Sequence, residues 1–306
     1  MADPSQLPHE LVLLVIEAAC HTYVYSRAGW VASLCLVCRS VQNVVNPILY
    51  ARLFIGEHNI AALDELSRSS NSNRLSLVRE VFIDLHSSFG DDRDGDCIVS
   101  ARFAFLARAL IGVRVISGPS RTIEALSHWN PRLRRQLVSV FVTDTTDSWH
   151  ATTNKHCFAP VLRSVDYLHI IIFMGAAIDS PGDLAFLRGT ISTAHSLIFD
   201  LLSQDRELIA TLKVESLILT LDNIVSSLSP TFQRLVLRPR CVFEESVRFI
   251  TARLAAWANV KRDPRIFVDD DFVPILDEEN NRWLYATLDP GDALEGEALW
   301  QRGRQL

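Results

Sequence analysis

From about residue 78 onward, short runs of alternating apolar residues keep returning, and segments with helical spacing fill the intervals between them. The runs are Val78–Leu85, Leu137–Val142, Leu162–Ile170, Ser196–Phe199, Val214–Leu221, Phe232–Leu237 and Pro264–Val268. Each is about as long as an ordinary strand. Between them, Ile98, Phe103, Phe105, Leu106 and Leu110 form one helical stripe, and Ile123 with Leu126 forms another. Leu184 with Leu187, Leu208 with Leu212, and Val247, Ile250, Leu254 and Trp257 continue the series, and Ile60, Leu63 and Leu66 precede it. Strands that alternate with helices over some two hundred residues imply mainly parallel pairing through helical crossovers. The expected fold class is therefore mixed α/β.

The chain has 306 residues, enough for a small module and one larger domain. Acidic and basic residues are mixed along it and the formal net charge is -6, so it lacks the concentrated Lys and Arg of a nucleic-acid surface. Six scattered cysteines show no disulfide rhythm. Residues 1–6 lack a secretory pattern, and the apolar run Val165–Ala177 is too short for a bilayer and carries Asp166 and His169. These features imply an intracellular protein, cytoplasmic or nuclear, with no nucleic-acid and no membrane partner.

The first fifty residues have a different texture. Leu7-Pro8 sets a rigid proline before a helix, and Glu10 falls in its first turn, where its charge suits the helix dipole. Residues Leu11 to Ile16 are all apolar, too many for a helix with one wet face. A second helix is expected from Ala28 to Asn46, with Val31, Leu34, Cys35, Cys38, Val41, Gln42 and Val45 on one stripe. Pro47 should end it, and Ile48-Leu49-Tyr50 should begin a last turn. So much apolar surface on roughly forty residues calls for a partner surface. Cys35 and Cys38 have metal-ligand spacing, but no second Cys/His pair stands nearby, so helix core is the expectation and no metal site is assigned.

Residues 5–55 resemble an F-box of the divergent kind common among fungal F-box-like proteins. Leu7, Pro8, Glu10, Leu11 and Ile16 match the opening of the motif; Leu36, Val37, Cys38 and Arg39 match its central run; Pro47, Leu49 and Tyr50 match its closing turn. The chain departs from the family in a longer, more polar connection at Cys20–Gly29, and in Val41, where a large aromatic often stands. The resemblance implies that Leu7, Pro8, Glu10, Leu11, Ile16, Leu36, Val37, Cys38, Pro47, Leu49 and Tyr50 contact the cullin-adaptor subunit of an SCF complex. It also implies that the remaining chain holds an unknown target protein. The alternative is a helical hairpin that caps the main domain of a non-catalytic scaffold.

Fungal proteins of this kind commonly carry a degenerate leucine-rich-repeat-like region. Residues 56–288 are accordingly expected to form an irregular leucine-rich-repeat-like αβ solenoid, although no unit shows the full repeat signature. The alternative is an open doubly wound α/β domain, and strand order separates the two. Trp283–Leu288 is expected to form a last strand against the repeat end. Residues 289–306 are expected to be an acidic, loose tail with a short helix near Leu294–Trp300.

No motif supports catalysis. There is no Gly-x-Ser-x-Gly elbow, P-loop, dinucleotide fingerprint or His-Glu-x-x-His pair, and no cofactor is implied. Asp92, Asp94 and Asp96 alternate as in a calcium loop, but Gly95 is misplaced and no Glu closes the loop. His156 and Cys157 are neighbours in sequence and so rarely face one another, while His169 is expected to be a satisfied core or surface residue. Asp269-Asp270-Asp271 is expected to be a solvated turn. Trp149 and His150, in a long polar loop, are the candidate target contacts.

Overall fold

The computed structural model describes residues 8–24, 26–69, 72–85, 98–145, 160–163, 165–174, 194–203, 207–273, 275–277, 282–283 and 297–306. Three helices come first: α1 (His9–Tyr23), α2 (Ala28–Leu34) and α3 (Arg39–Leu49). The single helix expected over Ala28–Asn46 is therefore two. Cys38, with φ -164° and ψ 169°, is extended, and the chain turns between Cys35 and Cys38. Cys and Val are weak helix formers, so Cys35, Val37 and Cys38 do little to hold a helix together there. Pro47 does not end α3 but lies inside it; one turn from the end its missing N–H removes a single bond, and Tyr50 N still donates to Asn46 O at 3.0 Å. Cys20, Val31, Val41, Val45 and Ile48 form the module's own core, with Leu13, Ile16 and Leu34 packed against it.

The sheet begins at once with β1 (Arg52–Gly56), followed by α4 (Ile60–Arg68) and β2 (Glu80–Asp84). Then come α5 (Ile98–Ala109), β3 (Val115–Gly118), α6 (Ser120–Trp129), α7 (Leu133–Gln136), β4 (Ser139–Thr145) and β5 (Tyr167–Phe173). The chain continues through β6 (Ser196–Ser203), α8 (Glu207–Ser227), β7 (Arg234–Cys241), α9 (Glu244–Lys261) and β8 (Ile266–Val268). Strands β1 to β8 are parallel, and their order in the sheet is their order in the chain. A doubly wound domain reverses that order at a switch point, and this sheet does not.

Period-two alternation explains how the sheet is buried. Ile55, Val81, Ile83, Ile116, Val140, Leu168, Ile170, Leu197, Phe199, Leu235, Leu237 and Ile266 share one face with Leu106, Leu110, Ile123, Leu126, Val214, Leu217, Ile250 and Leu254 from the helices. This is the main core. The other face carries, in lateral register, Phe54, Phe82, Ser117, Phe141, His169, Ile198, Val236 and Phe267. We call it the open face, because these crossover helices do not pack on it.

The run Val214–Leu221, expected as a strand, lies within α8. Its segment has 21 residues without Gly or Pro, and a run of that length favours helix over strand. Val214, Leu217, Leu221 and Ile224 are buried at helical spacing, while Leu219 is 66% exposed. Two of the strands β1 to β8 were not expected. β1 directly follows Tyr50 of the amino-terminal motif, and β3 has only four residues before Pro119 starts the turn into α6.

Trp283 stands in β10 (Arg282–Trp283), which pairs with β9 (Leu276–Asp277) in a separate two-stranded sheet; residues 284–288 lie outside the described residues. The strand that completes the main sheet is β11 (Arg304–Gln305), antiparallel to β8 and preceded by α10 (Glu297–Gln301). Among the described residues, no helix is long and apolar enough to cross a membrane.

The helical register of α8 yields a clear expectation. Leu217→Ala should cost about 2–5 kcal/mol, as for a buried leucine, and Leu219→Ala should stay within about 0.5 kcal/mol. Urea unfolding of the two variants checks this. Similar losses at both positions would contradict the register.

Candidate functional site

Most of the residues that the motif marks for adaptor contact lie on the surface of the three-helix module. Pro8, Glu10, Leu36, Val37, Cys38 and Pro47 are exposed, and Leu11 is nearly half exposed. Leu36 and Val37, at the break between α2 and α3, are 87% and 68% exposed. On α1, Leu14 and Val15 are also exposed, one helical turn beyond Leu11. Of the apolar residues of α1, Leu13, Ile16 and Cys20 reach the module's core, so the helix is covered only in part by the module itself. Ile16 and Leu49 belong with that core rather than with the outer surface. Tyr50 is half-buried, and its hydroxyl lies 3.1 Å from Arg74 Nη1, which ties the module to the start of the sheet domain. Leu7 lies outside the described residues, as do Trp149, His150, His156, Cys157 and the Asp92–Asp96 loop.

A second constellation lies on the open face, where sequence reasoning expected nothing but strand residues. His169 Nε2 is 2.7 Å from Asp200 Oδ2, with both side chains buried. The Phe141 ring stacks on the His169 imidazole at 3.8 Å and within 6° of parallel. Arg238 Nε lies 3.4 Å from Asp200 Oδ1 and 3.3 Å from Asp269 Oδ2, and Arg240 Nη2 lies 3.4 Å from Asp269 Oδ2. Arg240 Nη1 also donates to the Asp271 carbonyl at 3.2 Å. Asp269 is therefore a buried counter-ion, not part of a solvated turn; two arginines on the neighbouring strand draw it inward.

Burial alone would raise the Asp200 carboxyl. The positive charge of Arg238 and the interaction with His169 outweigh burial and hold it well below the usual carboxylate range. Two carboxylates and two guanidiniums balance one another, which is what allows charges to be buried together. The sequence offered little warning, because His169 and Asp200 are 31 positions apart. Only the register, which sets His169 opposite Ile198, brings Asp200 diagonally beside it.

Burial pushes the Cys241 thiol up to about 12, and burial also raises Cys20, so both stay protonated at neutral pH. No family model matches the chain, and no curated protein matches it either.

Asp200→Asn removes one of the two carboxylates that balance Arg238 and Arg240, leaving a buried positive charge uncompensated, and should cost about 3–5 kcal/mol at neutral pH. Because the folded carboxyl titrates below its unfolded value, its stabilisation is complete above about pH 4 and is lost as the pH falls further. The stability gap between wild type and Asp200→Asn should therefore narrow on acidification. Urea midpoints taken from neutral pH downward test the sign, and a gap that widens in acid would count against this picture.

Proposed function

We propose that the protein is a substrate-recognition adaptor of an SCF-type cullin–RING ubiquitin ligase. In this reading the F-box-like helices dock the adaptor subunit. The sheet domain, an irregular leucine-rich-repeat-like αβ solenoid, holds the target protein. The chain would bring reactants together and leave the chemistry to other subunits.

The observation that carries the reading is the exposed apolar surface of the three-helix module. Leu11, Leu14, Val15, Leu36 and Val37 all face water in the isolated chain. Apolar side chains clustered within so short a segment are what a protein-binding surface requires. A pure cap would bury these side chains on the first strand's core. Here, among the described residues, α1–α3 have their own small core, and none of their residues belongs to the large one. The solenoid reading is supported by strands in chain order with the described crossover helices on one face.

The test is co-purification with the adaptor subunit. Wild-type protein should retain it, while Leu11→Asp with Leu36→Asp should lose it with little change in melting temperature, because both positions are exposed. If the wild type fails to bind the adaptor, or the double variant binds as well as wild type, the ligase reading is wrong and the scaffold alternative takes its place.

A further inference from the structure

We infer that the open face of β6–β8 is a peptide-docking surface and that residues 299–306 of the same chain are its resident, exchangeable occupant. This deepens the reading in which the sheet domain holds a target, because it names the surface and the chemistry that the target must present.

The seat is assembled from β6, β7 and β8, with Tyr167 of β5 at its margin. Leu299 is buried against Ile198 and Val236, and Trp300 packs on the same cluster with Phe267. The Trp300 ring lies 5.0 Å from that of Tyr167. Arg234, with its guanidinium 3.5 Å above the Phe267 ring, donates from Nη2 to the carbonyls of Arg302 (2.8 Å) and Gln301 (3.2 Å). Gly303, at φ +87°, then turns the chain so that β11 pairs antiparallel with β8, and Leu306 N donates to Ile266 O at 3.1 Å. Arg304 meets Asp270 at 3.0 Å. Main-chain pairing at a sheet edge combined with side-chain anchors is how extended peptides are recognised by strand addition.

Three features mark the occupant as exchangeable. Its strand is two residues long and its helix five, too short to be stable alone, so the segment depends on the seat. Its neighbour in the sheet, β8, already pairs with β7 without it. Beneath and beside it the sheet is held by its own ionic cluster, so removing the segment does not leave Arg238 or Asp200 without their partners. A target with a Leu-Trp-like pair followed by an extended segment would satisfy the same contacts in trans.

A labelled synthetic peptide with the sequence of residues 297–306 tests this on the full-length protein by fluorescence anisotropy. Leu299→Asp with Trp300→Ala vacates the seat. Gly303→Val loosens it without touching the core, since a Cβ at 303 would lie 2.9 Å from Val268 O and the backbone there disfavours a side chain. The peptide should bind both variants at least about tenfold tighter than wild type, because a docked resident lowers apparent affinity by the fraction of vacant molecules. A peptide carrying Asp and Ala at the Leu and Trp positions should bind neither. If Leu299→Asp with Trp300→Ala does not fold, Gly303→Val decides alone. The inference fails if the peptide does not bind a folded variant, if the substituted peptide binds equally well, or if wild type is a dimer that exchanges this segment between copies. Adaptor co-purification uses a different surface, so failure of the ligase reading and failure of this one are told apart.

Discussion

A parallel ladder whose strands follow chain order governs the whole sheet domain. Each strand must be followed by a crossover, and here the crossover helices share their apolar side chains with one face of the sheet. Residues of one parity, such as Ile83, Ile116, Ile170, Phe199 and Leu237, are therefore committed to the helices. Residues of the other parity are placed on a face on which the described crossover helices do not pack. What this protein does with that second face is the main structural question it raises.

The answer differs along the sheet. At the amino-terminal edge Phe54 remains 40% exposed, and Asn59 guards β1 by accepting from Gly56 N and donating to Phe54 O. Toward the middle, Phe82, Phe141, Ile171, Leu202 and Ile275 form one buried cluster. At the carboxy-terminal edge Leu299 and Trp300 cover Ile198, Val236 and Phe267. Charge is buried in the same region, but as a balanced set: Asp200 and Asp269 face Arg238 and Arg240. An isolated charge there would be costly, whereas a paired set fixes which strands can lie side by side. The three-helix module solves its own problem differently, leaving apolar side chains in water instead of folding them onto the sheet.

Several of these features were legible in the residues. The alternation in Val78–Leu85, Leu137–Val142 and Phe232–Leu237 predicts strands, and β2, β4 and β7 form there, because side-chain parity is a local property. Val214–Leu221 misled, since four residues of apolar alternation fit a strand or one side of a helix; the length of the Gly- and Pro-free segment around it decides. The break at Cys35–Cys38 was hidden because the apolar spacing runs straight across it. Pro47 does not stop α3, because a proline near a helix end costs only one bond. Of the motif residues, Leu11, Leu36 and Val37 lie at the surface as a docking role requires, but Ile16 and Leu49 serve the module's own core.

Alternating strands and helices, and hence a mixed α/β fold with mainly parallel pairing, were determined by the sequence alone, since period and segment length are written in successive residues. Tertiary structure decided the rest. It set strand order, which depends on how crossovers pack and not on any one segment. It brought His169, Asp200, Arg238 and Asp269 together from β5, β6, β7 and the end of β8, because register acts between residues tens of positions apart. It also seated the end of the chain, read as a loose acidic tail with a short helix near Leu294–Trp300, on the sheet through α10 and β11, because Leu299 and Trp300 meet an apolar face that no local pattern in the tail describes.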